Sequence, residues 1–265
     1  MAVVQRLRGQ GTRIVIFLIA LLWVAPTLWT FYETFVTRGL HFTWANLSTA
    51  WQSAPFPEFG LNTLIIVFGL FLVQSLFGAV CGFVLAKQRF FLRTVFFVIF
   101  LLQVVIPIYA LIVPDYQLLR SFHLLNSRTG IMLPYATSGI AVLAFYQAFR
   151  GVPLEVEEAG RLDGCSPAQL LRHIYLPSAF PAMAAFAVVS VSYHWTDFLW
   201  PLIVTSTNHA RPLVVGLAML SQASESGAQW SLIAAATVIV TLPILVIFAL
   251  FSRRIVQAFS TTFHI

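Results

Sequence analysis

Six apolar stretches, each long enough to cross a bilayer, constrain this chain more than any other feature. A helix of roughly 20 apolar residues crosses a hydrocarbon core about 30 Å thick. Only the fifth stretch contains a charged residue, the single acid Asp197. The stretches are residues 14–32, 61–86, 94–114, 129–149, 180–204 and 231–252. We therefore predict an all-α membrane protein, a six-helix transmembrane bundle built as one transmembrane domain over residues 1–265.

The composition excludes a soluble fold. Of the 265 residues, 59% are hydrophobic and only 9% are charged, whereas soluble domains carry about a quarter charged residues. With so few charges the apolar surface could not be covered, so the lipid bilayer is the predicted solvent. The net charge of +6 does not indicate nucleic acid, because the basic residues form no patch. We predict no nucleic-acid partner.

Prolines recur inside the predicted spans, at Pro26, Pro107, Pro134 and Pro243. A membrane helix tolerates proline when neighbouring groups satisfy the carbonyl that the ring frees. We therefore predict kinked helices within the bundle.

Residues that could carry catalysis or hold a metal form no recognisable group. The only lysine, Lys87, follows Ala86, whereas a phosphate-binding loop needs Gly-Lys followed by Ser or Thr. The two cysteines, Cys81 and Cys165, match no metal or disulfide spacing, and neither do the six histidines. We predict that the chain is not an enzyme and has no catalytic residue, metal or cofactor of its own.

The distribution of basic residues predicts the orientation in the membrane. With the N-terminus inside, eleven of the fifteen basic residues fall on the inner side and four on the outer side. The inner ones are Arg6, Arg8, Arg13, Lys87, Arg89, Arg93, Arg150, Arg161, Arg172, Arg253 and Arg254, and the outer ones are Arg38, Arg120, Arg128 and Arg211. Cytoplasmic loops carry such an excess. Both termini are therefore predicted to be cytoplasmic.

A polar segment, residues 155–181, separates the fourth and fifth stretches and reads EVEEAGRLDGCSPAQLLRHIYLPSAFP. Its first acids favour a helix start, and Glu157 and Arg161 form an i, i+4 pair. Gly164 can end that helix with a positive φ. Ser166 and Gln169 predict a capping box for a second helix. The pattern predicts a cytoplasmic helical hairpin over about residues 150–180.

The end of the second hairpin helix is predicted at Leu176 and Pro177, before the fifth span. On the first helix, Val156, Ala159, Gly160 and Asp163 share one face of mostly small side chains. That face suits close approach by the backbone of a partner protein, or packing against the chain's own bundle. The residues alone leave both possibilities open.

The hairpin residues resemble the EAA motif of ABC importer permeases. Glu158, Ala159 and Gly160 are followed at the family spacings by Gly164, Ile174, Leu176 and Pro177. Asp163 with Gly164, and Pro181, resemble the carbohydrate, maltose-permease-like subset. Asn62-Thr63-Leu64, and the run from Trp195 to Pro201, are also similar to these permeases. The resemblance implies a type I ABC importer permease in a bacterial cytoplasmic membrane.

The resemblance also implies partners and roles. Such a permease assembles with a second homologous permease, a dimer of ATP-binding cassette ATPases and an extracytoplasmic solute-binding protein, and ATP and Mg are bound by the ATPases. The hairpin would be the coupling helix, with Glu158 paired to a basic group of the ATPase. The implied coupling residues are Glu158, Ala159, Gly160, Asp163, Gly164, Ile174, Leu176 and Pro177.

Three positions depart from the family pattern. Gly160 replaces alanine and should loosen the helix by about 0.5–1 kcal/mol. Thr196 stands where the family often has asparagine, and residues 259–265 lack a Gly-rich ending. If that ending contacts the ATPase in relatives, the contact is in question here.

Polar side chains inside the spans are candidates for the solute pathway. The candidates are Gln74, Gln103, Tyr135, Ser192 and Asp197. Bonding between helices is the commoner role of such groups, and Asp197 lies close enough to the outer end to orient a loop instead.

The predicted function is import of a sugar or sugar-like solute by alternating access, driven by a separate ATPase. A glycerol-phosphate or polyol-type solute stays open, although no arginine inside a span favours a phosphate. A stand-alone secondary transporter is the alternative from another class. It would need two related halves or ion-coupling acids at the midplane, and the sequence shows neither.

Overall fold

The computed structural model describes residues 2–36, 41–224 and 230–262, with side chains described at 13, 15–36, 41–222 and 230–250. Within these ranges the regular elements are helical. They are α1 Ala2–Phe35, α2 Ala45–Ser53, α3 Phe56–Lys87, α4 Arg93–Val105, α5 Ile112–Ser121, α6 Arg128–Met132, α7 Gly139–Arg150, α8 Leu154–Leu162, α9 Pro167–Leu170, α10 Leu176–Ser178, α11 Phe180–Thr196, α12 Leu199–Val204, α13 Leu213–Ser224 and α14 Trp230–Thr262. The predicted all-α class is confirmed.

Three predicted spans are continuous helices. The apolar portions Val15–Phe35, Phe56–Lys87 and Trp230–Leu250 are long enough to cross a membrane. Pro26 and Pro243 lie inside α1 and α14 without ending them. Near Pro26, the Thr30 hydroxyl donates to the Pro26 carbonyl at 2.9 Å, so this turn gains a side-chain bond.

The helices of the other three predicted spans belong to pairs bent by more than 40° at a short break, and the third pair includes the second arm of the polar segment. The bends measure 97° between Arg93–Val105 and Ile108–Ser121, 50° between Arg128–Tyr135 and Gly139–Arg150, and 72° between Pro167–Ser178 and Phe180–Thr196. Counting each pair as one span gives up to six. At the first bend Ile106, which precedes Pro107, has the extended ψ of 122° that proline favours in the residue before it.

The fifth span is shorter than predicted. α11 ends at Thr196, Asp197 is extended with ψ 123°, and α12 begins at Leu199. In a continuous helix the Pro201 ring would clash with the carbonyl of Asp197, four residues before it. Proline therefore accounts for a break at Asp197 that the length of the apolar stretch did not reveal.

Proline does not end the second hairpin helix where predicted. The chain stays helical through Pro177 to Ser178 and breaks at Ala179. A wide π-helical turn, Leu171–Tyr175, precedes Pro177, and the Leu176 N–H bonds to the Leu171 carbonyl five residues back. The π-helical turn shifts the backbone hydrogen bonds from a spacing of four residues to five just before Pro177, which has no N–H to donate.

Close packing joins α3 to α7. A Cβ added at Gly78 would lie 2.8 Å from Ala141 Cβ, and one added at Gly82 would lie 2.9 Å from the Tyr146 backbone nitrogen. The two glycines form a small-xxx-small pattern that allows membrane helices to approach closely. Around this contact, Phe83 and Phe145 are buried in one apolar core.

The chain packs as two compact units. One comprises Met1–Phe56 and Leu217–Pro243, and the other comprises Pro57–Gly216 and Ile244–Ile265. In the first unit α2 lies against the end of α1, where Asn46 Nδ2 donates to the Thr34 carbonyl at 3.1 Å. The candidate site lies in the second unit.

Candidate functional site

The predicted hairpin, residues 150–180, consists of two helical arms joined at Gly164. Gly164 has φ +80°, as predicted for the residue after the first arm. Ser166 caps α9, and the capping box is complete, with Ser166 N–H donating to Gln169 Oε1 at 2.8 Å. The Cys165 N–H bonds back to the Gly160 carbonyl at 3.0 Å. These local signals confirm the predicted hairpin.

Gly160 packs inside the hairpin. A Cβ at this position would lie 2.8 Å from both Ile174 Cδ1 and Leu170 Cδ2 of the opposite arm. The rest of the shared face, Val156, Ala159 and Asp163, is exposed. Of the two possibilities left open by the sequence, packing within the chain applies to Gly160 and an outward orientation applies to the other three.

The remaining motif residues divide in the same way. Ile174 is half-buried between the arms, whereas Leu176, Pro177 and Gly164 are exposed. Glu158 is also exposed, and it forms no ion pair with any side chain that the structure describes. The carboxylate is therefore available to a partner.

Glu157, next to the motif acid, lies at the centre of a cluster that joins the hairpin to α3. Its Oε1 accepts from Arg161 Nη2 at 2.7 Å, and its Oε2 accepts from the Tyr175 hydroxyl at 2.5 Å and lies 3.2 Å from Lys87 Nζ. Lys87 Nζ also lies 5.1 Å from the centroid of the Tyr175 ring. We call Glu157, Lys87, Arg161 and Tyr175 the Glu157 cluster.

The cluster keeps a buried carboxylate charged. Burial of Glu157, only 6% exposed, by itself raises the pKa. Hydrogen bonds from Tyr175, Lys87 and Arg161 outweigh that effect and hold the pKa of Glu157 below its ordinary value. The sequence predicted the Arg161 pair but not the other two partners, because Lys87 and Tyr175 lie on other elements.

Tyr175 anchors the hairpin in the apolar core. It is fully buried, with ring centroids 5.2 Å from Phe83 of α3 and 5.5 Å from Phe149 of α7. Leu170 and Ala179 belong to the same core. The hairpin thus has a buried side fixed to the spans and an exposed side.

Inside the membrane, Gln74 bonds to three groups. Its Nε2 donates to the Tyr135 carbonyl at 2.7 Å and lies 3.1 Å from His194 Nε2, and its Oε1 accepts from Ser190 Oγ at 2.9 Å. Gln74 is 4% exposed, so this amide ties α3 to α11 and to the turn at Tyr135. A solute contact by Gln74 stays a prediction.

Two other pathway candidates also bond locally. Gln103 is exposed and donates to the carbonyl and the hydroxyl of Thr137 at 3.1 and 3.0 Å. Ser192 Oγ donates to the Val188 carbonyl at 2.5 Å, one turn back in α11. The Gln103 bonds join α4 to another segment and fit the alternative of bonding between helices, whereas the Ser192 bond lies within α11.

Asp197 and Tyr135 lie together at the break after α11. Asp197 is buried, and its Oδ1 has no hydrogen-bond partner among the described residues. Tyr135 also lines a small cleft. The cleft is formed by Ile108, Tyr109, Ile112, Asp115, Pro134, Tyr135 and Trp200.

Near the N-terminal end of α3, Asn62 bonds to the loop that follows α12. Its Nδ2 donates to the carbonyls of His209 and Arg211 at 3.0 and 2.9 Å, and its Oδ1 accepts from Arg128 Nε at 2.6 Å. Next to it, Thr63 Oγ1 accepts from the Leu213 N–H at 2.8 Å. Asn62 and Thr63, which carry part of the family resemblance, thus fix loop geometry.

The described side chains include no group of three or more His, Cys, Asp or Glu residues that could hold a metal ion. Glu157 is instead paired with two cations and a tyrosine, and Asp197 lies at the end of α11.

Comparison with known proteins gives a consistent result. Residues 74–261 match the family described as binding-protein-dependent transport system inner membrane component. The chain is 33% identical over 227 residues to the arabinooligosaccharides transport system permease protein AraQ of Halalkalibacterium halodurans, covering 86% of this chain and 75% of that protein. It is 29% identical over 249 residues to the diacetylchitobiose uptake system permease protein NgcG of Streptomyces coelicolor, covering 89% and 82%.

A third relative has a different solute in its name. The sn-glycerol-3-phosphate transport system permease protein UgpE of Salmonella typhi is 30% identical over 218 residues, covering 80% of this chain and 78% of that protein. Among solved structures, a chain of a bacterial ABC transporter that imports alginate superposes with a TM-score of 0.83 at 19% identity, covering 94% of this chain and 96% of that one.

Proposed function

The chain belongs to the family of inner membrane components of binding-protein-dependent transport systems, and from that premise we propose that it is the permease subunit of an ATP-driven importer of a sugar or sugar-like solute. The observation that carries the proposal is the two-sided hairpin. One side is anchored in the core by Tyr175, and the other presents Glu158 outward. Such an element can receive force from outside the bundle and pass it to the spans.

The exposed side of the hairpin suits docking on an ATPase. Leu154, Val156 and Leu162 are 61%, 45% and 89% exposed. Exposed apolar side chains beside the free carboxylate of Glu158 and the small Ala159 are characteristic of a protein interaction surface. In this proposal Glu158 pairs with a basic group of the ATPase, and Asp163 and Gly164 shape the corner that enters it.

The proposal includes the rest of the assembly. A second permease completes the translocation path, two ATPase subunits bind ATP and Mg, and a solute-binding protein delivers solute on the outer side. Closure of the ATPases draws the hairpins together and moves the bundles between two states as rigid bodies. Both termini and the hairpin then lie in the cytoplasm. The family membership leaves a stand-alone secondary transporter without support.

Charge reversal at the hairpin tests this coupling. In the complex purified from its own host through a tag on this chain, Glu158→Arg should abolish co-purification of the ATPase. Glu58→Arg, a reversal of a half-exposed acid at the other end of α3, is the matched control and should retain the ATPase. Retention of the ATPase by Glu158→Arg, or its absence from the unaltered complex, would contradict the proposal.

A neutral solute is favoured over a phosphate ester. The six predicted apolar stretches contain no arginine, and Arg128, just before the fourth stretch, already bonds to Asn62. The polar groups at the α11 break, Tyr135 and Asp197, suit the hydroxyl groups of a sugar. Uptake by the reconstituted importer of labelled disaccharides, oligosaccharides and glycerol phosphate would decide between these solutes, and exclusive uptake of glycerol phosphate would overturn the choice.

A further inference from the structure

We infer that Lys87 and Glu157 form the connection that transmits movement of the hairpin to the second span, so that α3 and the hairpin move as one body. This inference rests on the proposed function, because it names the residues through which the coupling acts. It assigns Lys87, the only lysine of the chain, a positioning role outside the motif.

The geometry places one carboxylate between two parts of the protein. Lys87 is the last residue of α3, and its Nζ lies 3.2 Å from Glu157 Oε2 in α8. The same oxygen accepts the Tyr175 hydroxyl from the second arm at 2.5 Å. A single buried group therefore contacts the end of a span and both arms of the hairpin.

The burial of these groups separates this connection from an ordinary surface ion pair. The side chains of Lys87 and Glu157 are 12% and 7% exposed, whereas Arg161 is 56% exposed. Solvent screens exposed pairs strongly and buried pairs much less. Arg161 therefore neutralises charge at the surface, and Lys87 provides the directional contact.

Contacts around the Lys87–Glu157 pair also restrict rotation of the hairpin relative to α3. Tyr175 packs 5.2 Å from Phe83, one turn before Lys87, and Lys87 Nζ lies 5.1 Å from the Tyr175 ring centroid. The short link Gly151–Pro153 joins the hairpin to α7 instead. Without the Lys87–Glu157 contact, packing alone would hold the hairpin to α3.

Spin labels at Ala168→Cys in the hairpin and Gln88→Cys after α3 test the inference, in a background with Cys81→Ala and Cys165→Ser. The purified complex is measured by pulsed electron resonance without nucleotide and with ATP plus vanadate. We expect the label-to-label distance to stay constant in the otherwise unaltered chain. Lys87→Gln should allow a nucleotide-dependent shift larger than about 2 Å, beyond an ordinary helix shift at an interface.

Matched variants distinguish loss of the Lys87–Glu157 contact from a general folding defect. Lys87→Arg should restore the constant distance, and Arg89→Gln, which removes an exposed cation two residues along, should leave it unchanged. If Lys87→Gln prevents assembly, Tyr175→Phe keeps the buried ring and removes only the hydroxyl bond, and it should broaden the distance distribution when nucleotide binds.

The outcomes are distinct. A nucleotide-dependent shift already present in the unaltered chain, or constant distances in both Lys87→Gln and Tyr175→Phe, would overturn the inference while leaving the proposed function intact. Absence of an ATPase from the unaltered complex would instead refute the proposed function, and the inference with it.

Discussion

At the residue scale, replacement of Gly160 by alanine has two opposing effects on stability. An alanine Cβ would lie 2.8 Å from the ends of Ile174 and Leu170, both flexible enough to move, and alanine gains about 0.5–1 kcal/mol of helix propensity. We therefore expect Gly160→Ala to retain the ATPase and to change stability by less than about 1 kcal/mol. Gly160→Val adds branching between the arms and should lose the ATPase, as measured by co-purification. Equal behaviour of the two variants would contradict this packing.

Gln74 was predicted from the sequence as a candidate solute contact. Its three hydrogen bonds also predict a contribution to stability that can be tested. Interhelical bonds in membranes contribute about 0.6 kcal/mol each on average, so Gln74→Leu should lower the free energy of unfolding by about 2 kcal/mol. The measurement is thermal unfolding in detergent without solute. Gln103→Leu, at an exposed amide bonded only to Thr137, should cost less. Unchanged stability with weaker solute uptake would support a solute contact instead.

Glu157 shows what a residue-level prediction lacks. The i, i+4 spacing to Arg161 is local, so the sequence reveals it. The contacts with Lys87 and Tyr175 depend on how α3 and the second arm pack, and no periodicity encodes that packing. The predicted motif acid, Glu158, and its buried neighbour differ only in the face of α8 on which they lie.

At the element scale, the approach of α3 to α7 depends on Gly82. Alanine there would place Cβ 2.9 Å from the backbone nitrogen of Tyr146, which cannot rotate away. Overpacking of this kind costs about 1–3 kcal/mol, so Gly82→Ala should lower the midpoint of thermal unfolding. Gly60→Ala in the same helix has no atom within 4 Å of the new Cβ and should not lower it. Equal midpoints would show that the helices can separate at little cost.

The sequence predicted which segments are helical better than where they break. The length of the apolar stretches predicted the helices of the spans, and the capping residues predicted the hairpin. The break at Asp197 follows from Pro201 four residues later, a signal that the sequence contains. The passage of the helix through Pro177 was not predictable in the same way, because it depends on the π-helical turn before it.

At the scale of the whole molecule, the fold is shared with a transporter chain at only 19% identity. A bundle of apolar helices tolerates such divergence because many different apolar side chains satisfy its length and volume requirements. Solute choice depends on a few polar groups, which relatives with different solutes need not share. The fold was therefore predictable from this sequence, whereas the solute was not. The departure at residues 259–265, which puts a tail contact with the ATPase in question, falls on side chains outside the described part.

Orientation is the whole-molecule property on which coupling depends, since the hairpin can reach an ATPase only from the cytoplasm. The excess of basic residues on one side predicts that location. In a background with Cys81→Ala and Cys165→Ser, Ala168→Cys places a thiol on the exposed second arm, and His209→Cys places one on the loop after α12, where the side chain is 77% exposed. A membrane-impermeant maleimide added to intact spheroplasts should label His209→Cys and reach Ala168→Cys only after the membrane is opened. Labelling of Ala168→Cys in intact spheroplasts would place the hairpin outside the cell, where no ATPase could bind to it.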